Sequence, residues 1–264
     1  MGLFDKLGAA KHSEDRSIAR DGVTTARVRI DMAVGELAIT GGASELMNGR
    51  FSFDKELEPI IDFQARDGVG ELSIVQSRGE RAVKWNRNRW EIALNDDVPI
   101  DLELRMTTGK LDARLSTLRL KTVRIDHTTG EMVIGLGGNQ LELREVTTKQ
   151  STGRTRLDLS GNYAALRTLQ VSAATGETEI NFAGGAWGQD LDARLELTTG
   201  STTVRLPADV GVDVTARTAL GKVSVSGLSY DNGRYRNAAF GTTPSTLRLD
   251  VRASVGKLEL EVIG

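Results

Sequence analysis

The sequence predicts an all-β protein, a parallel β-solenoid (β-helix-like) of about nine degenerate coils, and three observations predict it. A glycine, most often preceded by Thr or Val, recurs at Gly35, Gly70, Gly109, Gly130, Gly153, Gly176, Gly200, Gly221 and Gly256, and from Gly109 to Gly221 the spacing is 21 to 24 residues. The same residue class then returns two and four places after each glycine, as in Leu111 and Ala113, Met132 and Ile134, or Thr202 and Val204. This period of two marks a strand with one face buried. Composition is the third observation: 39% hydrophobic and 5% aromatic residues, with 29 glycines against 4 prolines, suit a thin core with many corners.

Taken in chain order, residues 1–20 read as an N-terminal tail or short amphipathic helix, and residues 21–264 as one solenoid domain. Leu3, Phe4 and Leu7 form an apolar stripe, a candidate membrane contact set against the plainer reading of a locally packed terminus. Lys6 stands where a myristoylation signal requires Ser or Thr, so that motif fails. The opening residues lack the apolar stretch of a secretory signal, and no run of 18 apolar residues occurs, which predicts a cytoplasmic, non-spanning protein, with the inner membrane face as a site of contact.

Within the solenoid each coil supplies two short strands meeting at the glycine corner. Before the corner run Leu102, Leu104 and Met106, then Val123 and Ile125, then Leu195 and Leu197. One such unit cannot bury its apolar side alone, whereas coils stacked at about 4.8 Å share a continuous core. An antiparallel sandwich also explains short strands, but not a residue class that returns at a fixed offset from glycine. The first and last coils are longer, with excursions at residues 48–59, 79–89 and 230–244, as terminal coils that cap a core often are. The C-terminal strand from Lys257 to Val262 is expected to end the stack with a bare edge.

Charge and composition narrow the function classes. A net charge of −2, from 34 basic and 36 acidic residues spread along the chain, provides no field for nucleic acid. The absence of cysteine removes disulfides, thiolate metal sites and cysteine nucleophiles. One place after the corner, Lys110, Glu131, Arg154 and Glu177 alternate in sign, which predicts a cross-strand ladder. Just before it, Thr108, Thr129, Thr152, Thr175 and Thr199 form a column, read as corner hydrogen bonding rather than an ice-binding face. His127 and Gln150 occupy one offset in successive coils and read as a mutually satisfied polar pair with no third metal ligand. The best ligand or partner contact is the mixture of cations and indoles at Arg81, Lys84, Trp85, Arg87, Arg89 and Trp90, with Trp90 alternatively a core plug.

The repeated Thr-Thr-Gly corners, and the segment Trp90, Leu94, Asn95, Val98, Pro99, Asp101 and Leu102, resemble the toast-rack family of proposed adhesins and LiaF-like, phage-shock-type envelope-stress domains. The resemblance covers roughly residues 23–264. It implies a right-handed parallel solenoid, no established enzymatic activity, and roles in envelope-stress sensing, adhesion or assembly, and it supplies no catalytic residues. The sequence reading is therefore a non-catalytic structural or protein-interaction scaffold without cofactor or metal. Its partner is a protein or the chain itself. The alternatives are end-to-end filaments and, behind these, a carbohydrate-binding or carbohydrate-active β-helix.

Overall fold

The structure is a computed structural model that describes residues 12–77 and 88–264. In chain order the strands are β1 (His12–Ile18), β2 (Thr25–Thr40), β3 (Met47–Phe53), β4 (Pro59–Arg66), β5 (Val69–Gln76), β6 (Arg89–Leu94), β7 (Ile100–Arg114), β8 (Leu120–Gly135) and β9 (Glu145–Asp158). There follow β10 (Asn162–Tyr163), β11 (Thr168–Asn181), β12 (Ala186–Trp187), β13 (Leu191–Pro207), β14 (Gly211–Ser226), β15 (Ser229–Asp231), β16 (Arg234–Arg236) and β17 (Thr246–Ile263). The long strands stack in parallel as β2, β7, β8, β9, β11, β13, β17 and β14, so the fold is the expected β-solenoid.

Each long strand joins the two short strands read from the sequence and bends at its glycine. Gly35, Gly109, Gly130, Gly153, Gly176, Gly200 and Gly256 have φ between 132° and 145° and lie in one registered column. Successive coils touch there through backbone, because a β-carbon on Gly130 would overlap the carbonyl oxygen of Gly109. Only glycine accepts both the torsion and the approach. Inward residues on either side of the bend form columns, such as Val28, Leu102, Val123, Val146 and Leu169, nearly all sealed from solvent. The connections between long strands close the third side, where β10 pairs with β12 in parallel and Tyr163 stacks on Trp187 at 4.7 Å.

Gly70 is not a corner. It pairs with Ala26 near the start of β2, so the corner assigned to it moves to Asn88, between β5 and β6. These two strands cover the first and second halves of β2 and make a split coil. Asn88 faces Gly35 where the other coils place a glycine. Side chains replace the missing backbone: Gln76 Oε1 accepts from Val34 N at 3.0 Å, and Asn88 Nδ2 donates to Val34 O at 2.7 Å.

Antiparallel strands close both ends. β1 and β3 add beyond β6, β4 adds beyond β5, and β16 with β15 adds beyond the first half of β14. Three strands thus arise from stretches read only as excursions, and His12–Ile18, within the stretch read as a tail or helix, is β1. The C-terminal strand is not the bare edge. β17 lies between β13 and β14, its start held by Asp190, which accepts from Thr246 N at 2.8 Å and from Arg248 at 2.7 Å. The exposed edge belongs to β14.

Candidate interaction surface

Of the predicted contact patch, Arg81, Lys84, Trp85 and Arg87 lie outside the described residues, as do Leu3, Phe4 and Leu7. Arg89 and Trp90 are described, and they separate. Trp90 is fully buried and meets Phe51 edge to face at 5.6 Å, so the indole is a core plug and not a ligand contact. Inward alternation along β6 puts Trp90 beside Leu37 and sends Arg89 outward, where it pairs with Glu91 at 2.7 Å and with Glu36 at 3.9 Å. The rest of the family-like segment is equally structural: Leu94 and Val98 are buried, Asn95 Nδ2 donates to the carbonyls of Ala43 and Glu45 at 3.1 Å, and Pro99 accepts from Ala26 N.

The outer faces carry the charge. After the bend the row runs Arg89, Glu36, Lys110, Glu131, Arg154 and Glu177 on successive coils, with Lys110 and Glu131 3.7 Å apart and Arg154 and Glu177 2.8 Å apart. The predicted ladder is therefore formed. Before the bend a second row runs Glu71, Arg27 and Asp101, and a third Arg29, Glu103 and Arg124. Each exposed pair contributes about 0.2–1 kcal/mol, so the rows set register more than stability. The five threonines of the corner column are all exposed, on a ridge facing solvent between these charged faces.

The outer face before the bend is hollowed at both ends. β4 extends the sheet beyond β5, and its Asp62 and Gln64 wall one side of a groove of about 520 Å³ lined further by Arg27, Arg29, Glu103 and Arg124. Its lining alternates in sign. A smaller groove of about 340 Å³ lies on the same face at the other end, near Asp192, Arg194, Arg234 and Asp250. Sequence reasoning missed both, since neither is made by one stretch of chain.

His127 and Gln150 are neighbours as predicted, but they do not satisfy each other. Gln150 donates to Gly130 O at 2.7 Å and accepts from the Thr155 hydroxyl, while both ring nitrogens of His127 are buried without a hydrogen bond. Burial pushes the imidazole pKa below its ordinary 6.5, against a weaker pull from the backbone of Thr129 and Gly109. Asp96 and Asp97 lie in a bend; Asp96 accepts from Thr117 at 2.7 Å, and Asp97 pairs with Arg20 at 3.1 Å. Among the described residues no group of three or more His, Cys, Asp or Glu could hold a metal ion, and no helix is long and apolar enough to cross a membrane.

Comparison with known proteins agrees with this architecture. A proposed cell adhesion protein of Clostridium sporogenes, known from its crystal structure, superposes with a TM-score of 0.51 at 22% identity, over 96% of this chain and 99% of that one. Proposed adhesins of Bacteroides fragilis (11% identity, TM-score 0.33, 96% of each chain) and Parabacteroides merdae (14%, 0.33, 98% of each chain) are also similar. No curated protein matches. The family described as the N-terminal domain of toast_rack, DUF2154, matches residues 7–150, more than half of the chain. With its glycine-cornered coils stacked in parallel and its Trp90-to-Leu102 segment locking the first of them, this chain belongs to the toast_rack family.

Proposed function

We propose that the protein is a non-catalytic scaffold that binds a protein partner through the outer face of its sheet. The groove walled by β4 carries this reading. Its lining sets basic and acidic side chains at fixed strand spacing, which suits recognition of a surface of complementary charge. The resemblance of the fold to a proposed cell adhesion protein supports a binding role. A photoreactive residue placed at Arg124, in the groove, should cross-link one discrete partner that the same residue at Arg114, on the other outer face, does not capture. Equal capture from both positions, or none from either, would sink the reading.

The finer setting is proposed on sequence grounds. The chain works in the cytoplasm, against the inner face of the membrane, with Leu3, Phe4 and Leu7 as the contact, and serves an envelope-stress response. Deleting residues 1–12 should abolish co-sedimentation with anionic liposomes; unchanged co-sedimentation would remove the membrane contact from the scheme.

A further inference from the structure

The last coil of the stack is built like the others but lacks their cover. Inward residues after the bend are sealed in the inner coils, with Leu258 1% and Leu260 0% exposed. Their register partners in β14, Val223 and Val225, are only partly buried. β16 pairs with β14 at Asp213 and Val214 alone, so among the described residues nothing pairs the outer edge of β14 from Thr215 to Ser226. Leu220, at the bend of this edge, is 70% exposed. An open strand edge of this kind presents unpaired amides and carbonyls to any extended chain.

The charge pattern says which chain. In the parallel registers of the described residues, like charges face each other at two places, both here: Arg252 opposite Arg217, and Lys257 opposite Lys222. The inner member of each pair already has its acid, since Arg252 bonds Asp250 at 2.8 Å and Lys257 bonds Glu259. The outer members, Arg217 and Lys222, are exposed, and Glu259 acts on Lys222 only at longer range. Everywhere inside the stack the next strand offsets such a cation with a carboxylate or a neutral residue. Beyond Arg217 and Lys222 there is, among the described residues, no next strand.

We propose that the outer edge of β14, from Arg217 to Ser226, is a docking edge for an extended acidic segment of a partner protein, which adds as a further strand with carboxylates opposite Arg217 and Lys222. The proposal rests on the scaffold reading and names a second site for it, remote from the β4 groove. A second copy of this chain fits less well. Two β14 edges meeting would add cations to cations, and the acids of β1 at the far end, Glu14 and Asp15, are already paired with Arg16 and Arg50.

The test uses the full chain and two synthetic peptides patterned on the inner coils, Val-Glu-Val-Thr-Thr-Gly-Glu-Val-Glu-Val, whose glutamates on either side of the corner can face Arg217 and Lys222, and the same peptide with lysine for each glutamate. The glutamate peptide should bind, slow amide exchange at residues 217–226, and lose about tenfold or more in affinity for the R217E/K222E variant, which should instead prefer the lysine peptide. That variant places carboxylates beside Arg252 and Lys257, so it removes repulsion and keeps the fold. Equal binding to both forms, or protection elsewhere in the chain, would overturn the proposal. So would concentration-dependent growth of the unliganded wild type that the variant lacks, which would give the edge to a second copy. Cross-linking at Arg124 reads the groove independently of either result.

Discussion

Asn88 donates to the side-chain oxygen of Gln76 at 3.0 Å, and this pair bridges the two halves of the split coil. The two amides take up the N–H and C=O of Val34. Asn88→Ala should therefore cost about 1–3 kcal/mol, the penalty of a buried carbonyl left without a donor, read by chemical denaturation. An unchanged midpoint would mean that water takes the place of the amide.

The glycine column makes a sharper prediction. Gly130 and Gly233 both have positive φ, 134° and 82°, but an added β-carbon meets Gly109 backbone at the first and open space at the second. Gly233→Ala should cost about 1–2 kcal/mol, the torsional term alone. Gly130→Ala adds backbone overlap between coils and should cost ~3 kcal/mol or more, or prevent folding. Thermal denaturation of the two variants separates torsion from contact. Equal losses would show that the coils separate freely at the corner.

His127 makes stability depend on pH. Its folded pKa lies below the ordinary 6.5, so the unfolded chain binds the extra proton more readily. The stability is complete above about 6.5 and falls as pH drops from there toward the folded value, by up to ~1.4 kcal/mol per pH unit. His127→Met, matching its register neighbour Met106, should flatten this part of the curve without loss near pH 8. Urea midpoints measured across that range check it, and an identical slope in the variant would assign the effect to other groups.

The hairpin of β15 and β16 hangs on one carboxylate. Asp213, with 6% of its side chain exposed, receives Arg234 and, at 3.3 Å, Arg236. Asp213→Asn should cost about 1–3 kcal/mol. The loss should be local, so limited trypsin digestion should cut after Arg234 and Arg236 faster than in the wild type while the long strands persist. Unchanged cleavage would show that Tyr235, packed on Tyr230 at 4.8 Å, holds the hairpin by itself.

The stack was legible because parallel coils in register demand the same residue class at the same offset, and Gly109 through Gly200 obey this. Gly70 misled because Val69 to Ile74 copies the alternation without the bend, while the true corner at Asn88 carries no glycine. The place of β17 was illegible for the opposite reason: every coil shares one signature, so the pattern names a strand as a coil but not its neighbours. The surface was less legible still. Trp90 is an aromatic among cations in the sequence and a core residue in the fold, because alternation along β6 sends Arg89 out and Trp90 in. The groove and the open edge arise from strands distant in the chain, and no local pattern announces them.

Because β17 lies between β13 and β14 although it follows both in the chain, the order of synthesis and the order of assembly conflict. When β13 and β14 leave the ribosome, their shared neighbour has yet to be made, and each carries the glycine and inward columns that would let them pair directly. A β13–β14 pair formed too early shuts β17 out and must open before the native stack can close. Native pairing of β14 within the stack therefore waits until β17 has been made.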